Sequence, residues 1–432
     1  MQMLDQLFGL RAKKTSVGVE LRAGVVTFLT MSYILFVNPQ ILSAAGLPQR
    51  DVVFATAVAA AVATLLMGIW ANYPFALAPG MGLNAYFTYG VVGAMGVEWQ
   101  VALAAVFVEG LLFLILAVTG IRGALLRAIP APVKIATMSG IGLFLAMIGL
   151  QNAGVVRDDP ATLVSLGDLS SPPTLLALIG IVVIAALLSR SIKGAILVGI
   201  LVVSLAAWLS GVAPPPTSIV TLPSLPEETL MALDFSGLMT GKLWTVILAF
   251  LFVDFFDTAG TLIGVGRMAG FVDEQGQLPR ANRAFAADAV GTSVGALLGT
   301  STVTSYVESA TGVEEGGRTG LTAVTVAVLF ILALFLTPLF VAVPAIATAP
   351  ALVVVGALMM RGAKDLDWSR ADEAIPAFLT LAVMPLTFSI ANGITFGIVS
   401  YVGIKTLSGH YREIHPLLYL LAVLLVMFHG MR

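Results

Sequence analysis

Two segments of the chain, PGMGLNAYF (Pro79–Phe87) and GTSTVTSYVESATGV (Gly299–Val313), have the same unusual property. Both segments lie within predicted membrane spans, and neither is suited to a continuous helix. Pro79, Gly80 and Gly82 interrupt the first segment, and the second is rich in Ser, Thr and β-branched residues. Interrupted segments at corresponding positions of two halves are typical of inverted-repeat transporters.

Beyond these two segments, the composition is that of an all-α polytopic membrane protein. Of the 432 residues, 58% are hydrophobic and 11% are charged, whereas a soluble domain contains roughly a quarter charged residues. Apolar runs of about 16 to 22 residues match a bilayer core of about 30 Å. We predict fourteen transmembrane segments at 22–42, 52–71, 76–95, 100–120, 133–151, 174–189, 194–211, 242–265, 280–298, 300–313, 319–341, 345–361, 374–389 and 391–407.

A Pro-rich stretch separates these spans into seven and seven, and the interrupted segments are then the third and the tenth. Because seven is odd, the two halves have opposite orientations, as in a 7+7 inverted repeat. The last apolar run, 416–428, is short for a span. The predicted organisation is an N-terminal segment (1–21), a first repeat (22–211), an extracytoplasmic linker (212–241), a second repeat (242–407) and a C-terminal interfacial segment (408–432).

The distribution of positive charge supports this topology. With fourteen spans, nineteen of the 22 Lys and Arg residues fall on one side, and the other side holds only Arg50, Arg157 and Lys242. Cytoplasmic loops are the ones enriched in Lys and Arg. We therefore expect a multi-pass protein of the inner (plasma) membrane with both termini in the cytoplasm.

Several function classes are excluded by composition. A net charge of −2 gives no basic patch for nucleic acid. There is no Cys, and the three His residues all lie in the last 25 positions, so thiol chemistry and a buried His metal site are not expected. No phosphate-binding GK[ST] loop is present, which argues against ATP hydrolysis. We predict no metal and no cofactor.

Four acidic residues lie within the predicted spans, where an ionised side chain costs at least about 2.5–3.5 kcal/mol on insertion scales. Asp254 and Asp257 share one face of the eighth span, Asp288 lies in the ninth and Glu308 in the interrupted tenth. No Lys or Arg lies within a helical turn of any of them. A carboxyl group removed from water favours its neutral form, which suits a group that takes up and releases a proton.

Structural roles are the alternative for these polar groups. A lone intramembrane Asp can bond to the backbone of a neighbouring helix, and this alternative is strongest for Asp254 and Asp288. Asn84, in the interrupted third span, could serve only to form hydrogen bonds with backbone groups that the interruption of the helix leaves unpaired. Glu109, in the fourth span, is interpreted as a helix-packing or interfacial group and is not assigned to the site.

Four motifs together resemble the AzgA-like purine permeases of the nucleobase:cation symporter-2 group. They are PGMGLNAYF, FFDTAGTLIG, ADAVGT and TSTVTSYVESATGVEEGGRTGLTA (Thr300–Ala323), and the resemblance covers nearly the whole chain. It implies a core domain of spans 1–4 and 8–11 and a gate domain of spans 5–7 and 12–14. It also implies short strands in spans 3 and 10, and an elevator-like movement of the core against the gate.

The resemblance also implies the site residues. The family's substrate carboxylate falls on Asp257, with Asp254 one turn earlier, and the acid of span ten falls on Glu308. The substrate-binding residues predicted in this way are Asp257, Glu308, Asn84, Asp254, Ala85 and Val307, and the proton-coupling residues are Asp254, Asp257 and Asp288. The chain departs from uracil permeases at Thr261, where those proteins have a His.

The function implied is proton-coupled import of a purine base: adenine, guanine or hypoxanthine. Protons and membrane lipid are the other expected partners, and relatives with this fold often form homodimers through the gate domain. An anion carrier of the same 7+7 plan is an alternative, although an anion site should not present Asp257 and Glu308 without a cation. A passive channel and an intramembrane aspartyl protease are further alternatives, and the protease's GxGD sequence is absent. The preferred purine, and H⁺ against Na⁺ as the coupling ion, are left open.

Overall fold

The computed structural model describes residues 2–119, 129–239, 241–273 and 278–430. The two ends of the predicted terminal segments, residue 1 and residues 431–432, lie outside the described residues. The same holds for 120–128, 240 and 274–277.

The first half of the chain is helical, with one short strand in the interrupted third span and a hairpin between two later helices. Its elements are α1 (Gln2–Phe8), α2 (Val17–Met31), α3 (Ile34–Ser43), α4 (Gln49–Leu66), β1 (Leu77–Pro79), α5 (Met81–Ala85), α6 (Trp99–Thr119), α7 (Ala131–Asn152), β2 (Val156–Asp159), β3 (Leu163–Leu166), α8 (Pro172–Ser189) and α9 (Ala195–Leu209). Two π-helical stretches, Met67–Ala71 and Tyr86–Ala94, extend α4 and α5.

The second half repeats the pattern of long helices around one short strand. Its elements are α10 (Gly241–Met268), α11 (Ala281–Leu298), β4 (Val303–Ser305), α12 (Ser309–Glu314), α13 (Gly320–Ala333), α14 (Thr337–Ala342), α15 (Ala345–Met359), α16 (Ala371–Leu386), α17 (Ile390–Leu407) and α18 (Pro416–Gly430). Helix α18 packs on α17 and on α10.

The described residues contain nine helices that are long and apolar enough to cross a membrane. The chain is therefore a helical polytopic membrane protein, as predicted. The other five predicted spans differ for identifiable reasons. Two are the interrupted segments, α9 and α16 have only 15 and 16 residues, and α11 carries charged and polar residues along its 18 residues.

The predicted strands of the third and tenth spans are present and pair with each other. Strand β1 runs antiparallel to β4, with Leu77 opposite Ser305, Ala78 opposite Thr304 and Pro79 opposite Val303. All six residues are buried. A proline has no backbone N–H to donate, so Pro79 can lie in a strand only where the ladder does not need that bond.

One threonine from the preceding helix supports each of these strands. The Thr64 hydroxyl donates to the carbonyl of Leu77 and accepts from its N–H, at 3.0 and 2.9 Å. The Thr292 hydroxyl does the same for Val303, at 3.0 Å for both bonds. Buried backbone groups need partners, and these side chains supply them on the open edge of each strand.

The long helices form two bundles. The first bundle is made of α2, α3, α4, α6, α10, α11 and α13, with β1 and β4 among them, and the second is made of α7, α8, α9, α15, α16 and α17. Helices α7 and α15 approach so closely that a Cβ on Gly142 would lie 2.6 Å from the carbonyl oxygen of Gly356. Glycine at these two positions permits that approach.

Segments predicted to share one side of the membrane are in contact. Glu315 forms ion pairs with both Arg22 and Lys193, two basic residues that the charge distribution assigns to the same side. Among the segments predicted to lie on the opposite side, the Asp51 carboxylate accepts hydrogen bonds from the backbone N–H groups of residues 227–229 in the linker.

A short hairpin of β2 and β3 was not predicted. It follows α7 and is largely exposed. Its four-residue strands carry no long apolar run, which is why a search for membrane spans passes over it.

Candidate functional site

A cavity of about 440 Å³ lies between the two bundles. The first bundle contributes the polar side chains Tyr33, Asp257, Thr261, Thr304, Ser305, Tyr306 and Glu308. The second bundle contributes the apolar side chains Met138, Val355, Leu358 and Met359. No Lys, Arg or His lines this cavity in the part of the chain that the structure describes.

Asp257 projects from α10 into the cavity and is partly exposed there. The Thr304 side chain of β4 interacts with the Asp257 carboxyl group and lines the same cavity. Gly260 and Gly264 follow on the same helix face, because residues three and seven positions apart stack along a helix. A Cβ at either glycine would meet nothing within 4 Å, so the helix leaves open space beside the Asp257 carboxyl.

Glu308 enters the cavity from the turn between β4 and α12. The Tyr33 hydroxyl, from the break between α2 and α3, donates to Oε1 of Glu308 at 2.6 Å. The neighbouring Tyr306 hydroxyl donates to the carbonyl of Pro79, also at 2.6 Å. These bonds hold the end of β4 against β1 and orient the Glu308 carboxyl toward the cavity.

Of the remaining predicted substrate residues, one lines the cavity. Val307 lies on its surface and is 62% exposed. Asn84 and Ala85 are fully buried in α5 and do not line it. The Asn84 Oδ1 accepts from the Ser301 hydroxyl at 2.9 Å, and its Nδ2 has no hydrogen-bond partner among the described residues.

Asp254 and Asp288 lie deeper, inside the first bundle, and neither lines the cavity. The Thr258 hydroxyl donates to Oδ2 of Asp288 at 2.5 Å, and the Ser305 hydroxyl lies 3.3 Å from the same oxygen. Asp254 has a longer contact, 3.5 Å from its Oδ2 to the Thr292 hydroxyl. The structure thus separates the predicted acids into two facing the cavity and two behind it.

Four further residues belong to these surroundings: three were missed from the sequence, and the fourth, Glu109, was considered but not assigned to the site. Tyr33, Thr258 and Thr304 contact the predicted acids directly. Glu109, interpreted from the sequence as a helix-packing or interfacial group, is fully buried in α6, which agrees with a position between packed helices and not at the interface. Its position in the middle of an apolar span, with no basic residue nearby in sequence, was the signal available.

Comparison with known proteins assigns the family. The Xan_ur_permease model, described as "Permease family", matches residues 18–398. The chain belongs to this permease family. It is 44% identical to the guanine/hypoxanthine permease PbuO of Bacillus subtilis over 97% of this chain and 98% of PbuO. It is 43% identical to the adenine permease AdeP of Escherichia coli over 98% of this chain and 95% of AdeP.

Membership in the permease family confirms the resemblance predicted from the four motifs and excludes the protease alternative, because permeases are transporters. Among solved structures, the transmembrane domain of the cyanobacterial bicarbonate transporter BicA is similar, with a TM-score of 0.65 at 16% identity. The similarity covers 88% of this chain and 97% of that domain. At this identity the likeness concerns the fold of the permease and not its substrate.

Proposed function

We propose that this permease imports purine nucleobases together with protons. The observation that carries the proposal is the cavity in which two carboxyl groups, Asp257 and Glu308, face an apolar wall. A purine base is flat and neutral, and it carries N–H donors and ring-nitrogen acceptors. The two carboxyl groups accept from its N–H edge, while Met138, Val355 and Met359 pack against its ring face.

The size and chemistry of the cavity support a small planar ligand. Ligand pockets of about 300–1,000 Å³ are usual for small molecules, with a few polar groups on apolar walls, and this cavity of about 440 Å³ falls in that range. A site with placed hydrogen-bond acceptors discriminates between bases, because each unsatisfied buried polar group costs about 1–3 kcal/mol. The names of PbuO and AdeP support purines as the substrate class.

The anion-carrier alternative is not favoured by this cavity. BicA shares the fold at 16% identity, but here two acids line the cavity and no described Lys, Arg or His lines it. An anion placed between Asp257 and Glu308 would experience repulsion from both in a site of low dielectric constant.

Coupling to protons and alternating access complete the proposal. Asp254, Asp257 and Asp288 exchange the coupling proton. The first bundle acts as the core domain and corresponds to spans 1–4 and 8–11. The second bundle acts as the gate domain and corresponds to spans 5–7 and 12–14. The matched Thr64 and Thr292 contacts to β1 and β4 support an inverted repeat of 22–211 and 242–407.

The proposed setting is the inner membrane, with segments 1–21 and 408–432 in the cytoplasm and the 212–241 linker outside. Direct substrate contact by Asn84, Ala85 and Asp254 stays a prediction, as does a homodimer. Both Asn84 and Ala85 are buried and do not line the cavity, and Asn84 accepts a hydrogen bond from Ser301 in the tenth-span segment.

Uptake by intact cells tests the proposal. Cells lacking their own base permeases express the protein and receive radiolabelled adenine, guanine, hypoxanthine, xanthine or uracil, with and without a protonophore. We expect protonophore-sensitive uptake of one or more of the three purines adenine, guanine and hypoxanthine. Absence of uptake of every base would refute the purine assignment and reopen the anion carrier.

Variants of the cavity acids locate the site. Asp257→Asn and Glu308→Gln should abolish or sharply reduce uptake while leaving membrane insertion intact, because each removes an acceptor from the N–H edge of the base. Asp158→Asn, on the exposed hairpin, is the matched control and should transport normally. Wild-type uptake by either cavity variant would remove that residue from the site.

A further inference from the structure

Three carboxyl groups lie near one another inside the first bundle, behind the cavity. Glu109 on α6, Asp254 on α10 and Asp288 on α11 are each fully buried. Asp254 is close enough to interact electrostatically with both of the others, and Glu109 with Asp288. The helices pack tightly at this level, since a Cβ on Gly110 would lie 2.6 Å from the Ser293 hydroxyl of α11.

The oxygens of this carboxyl cluster are poorly satisfied. Both oxygens of Glu109, Oδ1 of Asp254 and Oδ1 of Asp288 have no hydrogen-bond partner among the described residues. Another fully buried acid, Glu20, shows the contrast. Its carboxylate accepts from the N–H groups of Arg318 and Thr319, at 3.0 and 3.2 Å, and from the Thr322 hydroxyl at 2.6 Å.

No described basic side chain neutralises the cluster. The elements packed against α6 are α10, α11, the 3₁₀ turn Ser236–Met239 and the π-helical stretch Tyr86–Ala94. Their other described titratable side chains are Asp257, Arg267, Arg283, Tyr86 and Tyr89. Arg267 and Arg283 are exposed at the helix ends. Because each unpaired buried charge costs several kcal/mol, three ionised carboxylates cannot coexist here, and shared protons are needed.

Two hydroxyl groups connect the cluster to the cavity. Thr304 and Asp257 both line the cavity and interact there, the Thr304 hydroxyl oxygen lies 2.9 Å from that of Thr258, and Thr258 donates to Asp288. Each hydroxyl has one proton to donate. This row of hydrogen bonds can therefore point in either of two directions. In one direction the extra proton is on Asp257, and in the other it is on Asp288.

From this geometry we infer that Glu109, Asp254 and Asp288 form a proton-holding cluster supplied from Asp257 through the hydroxyls of Thr304 and Thr258. In the transfer, the O–H bond of Asp257 breaks, each threonine accepts one proton and passes on its own, and an O–H bond forms at Asp288. Asp288 then shares the proton with Asp254 and Glu109. The inference rests on the proposed proton coupling and adds Glu109 and the two threonines to it.

A proton suits this cluster better than a metal ion. Among the residues that the structure describes, no group of three or more acidic or His side chains is arranged to hold a metal. A proton needs only two oxygens to bridge, whereas Na⁺-like cations need several oxygen ligands in one shell.

The test uses the full chain in liposomes and compares two modes of transport. One mode is purine accumulation driven by an imposed proton gradient, and the other is counterflow of labelled purine against unlabelled purine with no gradient. Glu109→Gln should reduce driven accumulation by about 5- to 150-fold, the usual size of coupling between two ligands. Counterflow should stay close to wild type, because Glu109 does not line the cavity.

The pH profile of driven accumulation separates proton binding from a structural role. Glu109→Gln should change the profile, and Glu109→Asp, which keeps a carboxyl group, should preserve more of the accumulation. Glu20→Gln is the matched control for loss of a buried acid and should keep the wild-type profile per folded molecule. An equal loss in Glu20→Gln, or a wild-type profile in Glu109→Gln, would overturn the inference.

The hydroxyl relay is tested at Thr258. Thr258→Val keeps the shape and removes the hydroxyl, so it should lose driven accumulation, whereas Thr258→Ser should retain it. Equal accumulation by Thr258→Val and wild type would overturn the relay. Wild-type protein that shows neither transport mode would instead refute the proposed function itself, so the two failures are distinguishable.

Discussion

At the scale of single residues, Tyr33 is the side chain that orients Glu308. Its hydroxyl donates to the Glu308 carboxyl at 2.6 Å, and a hydrogen bond to a charged group contributes about 1.5–3 kcal/mol. Tyr33→Phe should therefore raise the Km for purine uptake by about tenfold or more, with the protein still inserted and folded. Tyr419→Phe on α18 is the matched control. An unchanged Km in Tyr33→Phe would show that Glu308 binds the purine without being oriented by the Tyr33 hydroxyl.

Gly260 sets the free space beside Asp257. A side chain there meets nothing within 4 Å, so Gly260→Leu should fold and fill the cavity where the base is expected. We predict loss of purine binding, measured with labelled base on purified protein. Gly403→Leu, at a helical glycine with equally open surroundings on α17, should bind normally. Full binding by Gly260→Leu would place the substrate elsewhere.

The residues of the site differ in how well the sequence reveals them. Three of the acids, Asp257, Asp288 and Glu308, are recognisable because an acidic side chain without a basic neighbour is energetically costly in an apolar span and therefore indicates a functional role. Thr258, Thr304 and Tyr33 are not recognisable in this way, since hydroxyl side chains are common in spans and cost little there. Their roles depend on which helices come together, and that is a property of the packing.

At the scale of elements, the sequence correctly predicts that the third and tenth spans are interrupted, and β1 and β4 lie in these interruptions. Pro79 and the adjacent glycines rule out a regular helix, and the resemblance supplies the strands. The pairing register is not predictable from these residues, because it depends on Thr64 and Thr292 on other helices. The β2–β3 hairpin has no comparable signal.

The start of α16 carries an ion-pair cluster that stabilises the second bundle. Hydrogen bonds from Arg370 and Lys405 lower the pKa of Asp372 to about 2. A carboxyl with a lowered pKa stabilises the folded state above its unfolded pKa of about 4, and this contribution is lost as pH falls through about 2.

Asp372→Asn should therefore lower the thermal unfolding temperature at pH 7, and the difference from wild type should shrink at pH 3. Thermal unfolding in detergent at the two pH values measures this, with Asp158→Asn as the exposed control. A difference that stays constant from pH 7 to pH 3 would contradict the assigned role of the ion pairs.

At the scale of the whole molecule, the proposed mechanism requires the two bundles to move against each other during transport. Met138 on α7 and Gly260 on α10 line opposite walls of the cavity. Because the chain has no Cys, the double variant Met138→Cys/Gly260→Cys gives an unambiguous cross-link. Joining the two thiols with a short bifunctional reagent should stop the uptake that the same double variant shows before the reagent is added, and the reagent should not change uptake by either single variant. Normal uptake by the cross-linked protein would contradict relative movement of the bundles.

Purine-dependent proton entry tests the account most directly. The purified protein is placed in liposomes that contain a pH-sensitive dye, and adenine, guanine or hypoxanthine is added outside with no imposed proton gradient. The account predicts that a transported purine acidifies the interior and that Asp257→Asn abolishes this acidification. Purine entry without any change in internal pH, or no entry of any of the three bases, would contradict it.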